Sequence, residues 1–125
     1  MSELPAIDAG YLQNLLVDLL NTPSPTGFAE KAIDVVDQAM QEFSFLSSTR
    51  TRKGALVTTW EGEADDAPRG LTAHADTLGA MVKEIKSNGR LKLTRIGGFA
   101  WNTVEGEGCT VFASAGEVLL SLIHI

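Results

Sequence analysis

The sequence is short of the side chains that carry the most specific chemistry. It has one cysteine, Cys109, and two histidines, His74 and His124, among 125 residues. A lone cysteine excludes an intrachain disulfide, and a secreted protein of this size would more often carry an even set. No basic residue precedes Lys31, which removes both the positive start of a secretory signal and the Arg-rich character of a transit peptide. No apolar run approaches the roughly 18 residues that a membrane span requires. Basic residues are also scarce: Lys and Arg total 10 against 16 Asp and Glu, a formal charge of -6, and the densest basic stretch is Arg50-Thr51-Arg52-Lys53. A nucleic acid is therefore not an expected partner. A cytoplasmic protein with no membrane segment is the expectation.

What is present fits a globular domain, with 44% hydrophobic and 21% charged residues, close to the soluble average. Leu12, Leu15, Leu16, Leu19 and Leu20 recur at helical spacing over residues 11–20, and Thr22-Pro23-Ser24-Pro25-Thr26-Gly27 ends that helix. A second helical stripe runs through Ala32, Val35, Val36, Ala39, Met40 and Phe43. Ser24 or Thr26 is the expected N-cap, and Glu30 falls in the first turn. The period then changes to that of strands, over 44–52 and 55–60, broken at Lys53-Gly54 as a hairpin would be. The acidic, polar stretch 61–70 reads as an exposed loop. Beyond it the expected strands are 71–76, 79–85, 90–96 and 109–113. Asn88-Gly89 marks a turn, because both residues tolerate positive φ.

The densest polar constellation is Leu71-Thr72-Ala73-His74-Ala75-Asp76-Thr77-Leu78-Gly79. On a strand, His74 and Asp76 share one face. A carboxylate beside an imidazole can fix the tautomer that leaves the other ring nitrogen free for a metal. One histidine cannot hold a catalytic metal, which takes about three protein ligands, and the alternative for His74 is a strand-end residue in an ordinary hydrogen bond. His124 sits in an apolar C-terminal run where a structural or disordered role is expected. Glu105 and Glu107 flank Gly106 as a solvated turn would, and Cys109 has no histidine near it in sequence, as expected of a structural thiol. Gly97-Gly98 lacks the Gly-Lys-Ser/Thr ending of a phosphate loop.

Four features in order, Pro23-Ser24-Pro25-Thr26-Gly27, His74-Ala75-Asp76-Thr77-Leu78-Gly79-Ala80-Met81-Val82, Asn88-Gly89-Arg90-Leu91 and Ile96-Gly97-Gly98, resemble the cytoplasmic co-catalytic metalloaminopeptidases of the glutamyl and tetrahedral aminopeptidase type. The resemblance implies an α/β fold. Residues 1–78 would begin an α/β/α metallopeptidase catalytic domain, and residues 79–125 would begin an inserted β-rich domain used in oligomer assembly. It also implies two divalent metal ions, zinc or cobalt, that activate a bridging water while a glutamate takes its proton. His74 maps to a metal ligand and Asp76 to the carboxylate that supports it. The bridging aspartate, the Glu-Glu pair, the second aspartate and the last histidine map beyond residue 125.

The expected activity of the whole enzyme is release of N-terminal residues from short peptides, by a homo-oligomer between a dimer and a dodecamer. The chain alone is expected to be an inactive N-terminal fragment, with residues 119–125 poorly packed and a foreign end at 121–125. A non-enzymatic oligomerisation or regulatory module on the same fold is the alternative. Thr77-Leu78, where many relatives have Glu-Ile, leaves room for another amide substrate.

Overall fold

The computed structural model describes residues 6–64 and 66–122. The chain forms two compact units, Met1–Gly79 and Ala80–Ile125. The first contains helices α1 (Ala9–Asn21) and α2 (Glu30–Gln41) and strands β1 (Leu46–Arg50) and β2 (Leu56–Trp60). Strand β3 (Gly79–Ile85) starts at the boundary, and β4 (Leu91–Ile96), a 3-10 turn at Trp101–Thr103, β5 (Gly108–Ala113) and β6 (Gly116–Ser121) follow.

Helix α1 starts two residues earlier than its leucine pattern because Asp8 caps it. The Asp8 carboxylate accepts from the Tyr11 N–H at 3.0 Å, satisfying one of the donors a helix start leaves open. At the other end the Thr22 hydroxyl donates to the Asp18 carbonyl at 2.7 Å, and Pro23 follows. The leucines divide between two flanks. Leu15 and Leu19 are half-buried, whereas Leu12, Leu16 and Leu20 are exposed.

In α2 the apolar stripe faces inward as its spacing requires, with Ala32 and Ala39 buried and Val35, Val36 and Met40 half-buried. The expected cap is corrected: the N-cap is Ala29, without a side-chain bond. Ser24 and Thr26 lie too far back, because a turn closed by the Phe28 N–H on the Pro25 carbonyl, 2.7 Å, intervenes. Glu30 does occupy the first turn. Helix α2 is fastened to β1 by Arg50, whose guanidinium reaches Asp34 at 2.6 Å and Asp37 at 3.0 Å. These two carboxylates hold the Arg50 pKa above its ordinary value.

Both long hairpins of the sequence form, by the same construction. In β1–β2 the Gly54 N–H bonds to the Thr51 carbonyl at 3.0 Å and the Thr51 N–H to Ala55 at 2.9 Å. In β3–β4 the Gly89 N–H bonds to Lys86 at 2.9 Å and the Lys86 N–H to Arg90 at 2.8 Å. Within each of these two loops only the glycine takes positive φ, Gly54 at 83° and Gly89 at 79°. This is the three-residue loop with a glycine bulge, not a two-residue turn. The turn expected at Asn88-Gly89 forms, with positive φ at Gly89 only, and the Asn88 side chain accepts from the Arg90 N–H at 3.1 Å.

Two further expectations change. Residues 71–76 do not form a strand, because a strand exists only against a hydrogen-bonded neighbour and none of the described residues pairs its backbone with theirs. Residues 119–121, the start of the segment 119–125 expected to pack poorly, belong to β6, which pairs in register with β5 from Ala113 opposite Gly116 to Gly108 opposite Ser121. Leu122 continues the pairing, its N–H on the Glu107 carbonyl at 2.9 Å. The side chains of β6 remain largely exposed. Residues 123–125, and with them His124 and most of the expected foreign end, lie outside the described residues.

The three sheets, β1–β2, β3–β4 and β5–β6, are each two-stranded. A single parallel bridge between Pro25 and Thr77 adds the only long-range pairing outside them among the described residues. At this bridge Gly79 packs on proline: a Cβ built on Gly79 would fall 2.5 Å from Pro25 Cβ. Gly79→Ala should therefore destabilise the chain by about 1–3 kcal/mol through overpacking. Gly108→Ala, which meets open space, is the control. Urea unfolding of both variants checks this; equal midpoints would refute the close approach.

Candidate functional site

The site is assembled where the turn after α1 meets the segment before β3. Pro23, Pro25 and Gly27 shape that turn. The prolines restrict φ, and Gly27 takes φ of 90°, a value that suits glycine. The Thr77 N–H donates to the Ser24 carbonyl at 2.7 Å, and the Thr26 N–H donates to the Thr77 carbonyl at 3.3 Å. In this parallel bridge Pro25 occupies the position whose own N–H is not used, so proline is tolerated. Ser24 is buried, and its hydroxyl has no partner among the described residues.

This bridge places His74, Asp76 and Thr26 together. His74 Nδ1 lies 3.1 Å from the Asp76 carboxylate Oδ1 and 3.1 Å from the Asp76 backbone carbonyl. Both oxygens are acceptors, so Nδ1 carries the proton in the neutral ring and Nε2 keeps its lone pair. The other carboxylate oxygen, Oδ2, accepts from the Thr26 hydroxyl at 2.5 Å. The His74 side chain is 85% exposed and that of Asp76 is 35% exposed. The Thr26 hydroxyl, the largest influence, holds the Asp76 carboxyl below the usual carboxylate range against the upward push of burial, and the His74 ring adds a weaker lowering.

The two residues singled out in the sequence are thus in contact, although not by the strand geometry expected for them. Thr26 was missed as a member of the group. It stands 50 residues away in sequence, and the proline-flanked turn gives no hint of its partner. Glu105, Glu107 and Cys109 belong to the other unit. Gly106 there takes positive φ, 86°, as the solvated-turn reading requires, and the unpaired thiol of Cys109 is half-buried on β5. A cavity of about 590 Å³ in that unit, floored by Leu91, Leu93, Trp101, Val111 and Leu120, contains neither His74 nor Asp76. Among the described residues no group of three or more His, Cys, Asp or Glu side chains is arranged to hold a metal ion. No helix among them is long and apolar enough to cross a membrane.

Comparison with known proteins places these observations in a family. YhfE of Bacillus subtilis (strain 168) is 42% identical over 109 residues, 87% of this chain and 31% of its own length. SgcX of Escherichia coli (strain K12) is 31% identical over 111 residues, covering 86% of this chain and 29% of the relative. The glutamyl aminopeptidase of Lactococcus lactis subsp. cremoris is 28% identical over 100 residues, 79% of this chain and 28% of that enzyme. The chain therefore spans about a third of the length of its curated relatives. The crystal structure of the TET aminopeptidase from the marine sediment archaeon Thaumarchaeota archaeon SCGC AB-539-E09 shares the fold, with a TM-score of 0.74 and 23% identity over 89% of this chain and 31% of that one. Residues 54–124 match the M42 glutamyl aminopeptidase family, and with a match over more than half of its length the chain belongs to that family.

Proposed function

We propose that this chain supplies the N-terminal part of a metal-dependent aminopeptidase that removes N-terminal residues from short peptides. The observation that carries this reading is the His74–Asp76 pair. An exposed imidazole has its Nδ1 proton committed to a carboxylate and a carbonyl, so its Nε2 lone pair faces outward as a metal ligand's must. Family membership supports the class of reaction. In this reading residues 1–78 begin the catalytic domain and residues 79–125 begin an inserted β-rich domain for assembly of a homo-oligomer, a dimer or a larger shell up to a dodecamer.

The residues present fit one ligand of a metal centre and no more, since no group of three or more His, Cys, Asp or Glu side chains gathers around His74 among the described residues. Two divalent ions, zinc or cobalt, would supply an activated water and polarise the scissile carbonyl when bound. The contribution of this chain is to hold His74 in the right tautomer and orientation. Asp76, in contact with the ring and bound to Thr26 through its second oxygen, serves as the ring's support and not as a ligand. The cytoplasm is the proposed compartment.

The isolated 125-residue chain should not hydrolyse any aminoacyl-anilide in the presence of zinc, cobalt or manganese. Chelator-sensitive turnover by the purified chain would overturn the one-ligand reading. In the longer protein that carries this chain, His74→Ala should empty or severely weaken one metal position, measured as metal bound per subunit. Asp76→Asn should leave that position occupied but cost roughly 10–100-fold in metal affinity or activity. A silent Asp76→Asn beside an inactive His74→Ala would remove the supporting role from Asp76.

A further inference from the structure

We propose that Thr26 is a positioning residue for His74, acting through Asp76, an inference that rests on reading His74 as a metal ligand. The carboxylate of Asp76 has two oxygens and two rotational choices. Its Oδ1 lies 3.1 Å from the imidazole Nδ1, and its Oδ2 receives the Thr26 hydroxyl proton at 2.5 Å. Without the second bond the carboxylate is free to turn about its side-chain torsion, and its contact with the ring becomes one of several. With a hydrogen bond on each oxygen, the carboxylate plane of Asp76 is fixed against the ring. A charge-assisted bond of this length is of the strong kind.

The placement of Thr26 does not follow from helix capping, because the N-cap of α2 is Ala29 and Thr26 lies before it. It follows from the parallel bridge, whose two backbone bonds join Ser24 and Thr26 to Thr77, the residue immediately after Asp76. Gly79, pressed on Pro25, sets how closely the two segments approach. The parallel register puts Thr26 on the same side of the bridge as Asp76 and diagonal to it, and the side-chain bond adds the orientation that a backbone bridge alone cannot give. Threonine suits the task because its branched Cβ restricts χ1, so the hydroxyl keeps its aim at low entropic cost.

The test reads the ring itself and needs no metal. In the isotopically labelled 125-residue chain, with His124→Gln leaving His74 as the single histidine, long-range proton–nitrogen correlation reports the ratio of Nδ1–H to Nε2–H tautomers in the neutral ring. Wild-type Thr26 should give predominantly Nδ1–H. Thr26→Val, which keeps the shape and removes the hydroxyl, should lower that ratio roughly fivefold, the size of one net hydrogen bond. Thr26→Ser should restore it. An unchanged ratio in Thr26→Val would overturn the proposal, as would an equal fall in Thr26→Ser, which would assign the effect to the turn and not to the hydroxyl. Zinc binding in the longer protein separates the two ideas: if His74→Ala left it unaltered, the metal assignment would fail while the tautomer result stood.

Discussion

Two backbone hydrogen bonds, from the Thr77 N–H to Ser24 and from the Thr26 N–H to Thr77, are the constraint on which the candidate site depends. The Thr26–Asp76 bond and the close approach of Gly79 to Pro25 join the same two segments and depend on this backbone contact for their geometry. A backbone contact suits this purpose because its geometry is set by the peptide units and not by flexible side chains. The carboxylate of Asp76 then inherits a fixed position, and the imidazole inherits a fixed tautomer. The Thr26 hydroxyl engages one carboxylate oxygen, and the ring Nδ1 proton faces the other together with the Asp76 carbonyl. The order is from rigid to mobile: bridge, carboxylate, ring.

The packing beneath this arrangement is thin. Ala32 and Ala39 are the buried apolar residues among those described, and Leu12, Leu16, Leu20, Trp60 and Leu71 stand out into solvent. The rings of Tyr11, Phe43, Phe45 and Trp60 make a row with centroid separations of 6.5, 5.7 and 5.4 Å. Such pairs add about 0.5–1.5 kcal/mol each to what area burial gives, and the lower part of that range applies to rings as exposed as these. Local order therefore rests on hairpins, helix ends and the Arg50 cluster more than on a shared interior. That balance agrees with a chain spanning about a third of the length of its relatives.

What could be read from the sequence was whatever depends on neighbours within a few residues. The two helices, the hairpins broken at Gly54 and Gly89, and the exposed acidic loop all follow from spacing and turn chemistry. The M42 family was legible too, because its motifs are short and ordered. The failures share one cause. The cap of α2, the absence of a strand over residues 71–76, the presence of β6 and the Thr26–Asp76 bond all depend on what a segment meets elsewhere in the fold. A His-x-Asp tripeptide indicates that two polar groups are close; it does not state which third group fixes the carboxylate.

The place of Pro25 in the bridge has a consequence for how strand pairing can extend from it. A proline has no N–H to offer on its outer side, so the segment 24–26 forms a closed margin, of the sort proteins use to stop unwanted strand addition. The opposite side of residues 71–78 bears no such block, and among the described residues their backbone pairing begins only at Thr77. Any further strand therefore has a single direction of approach, along the free flank of the segment that holds His74. Extension of that pairing and completion of the surroundings of that histidine would be one event.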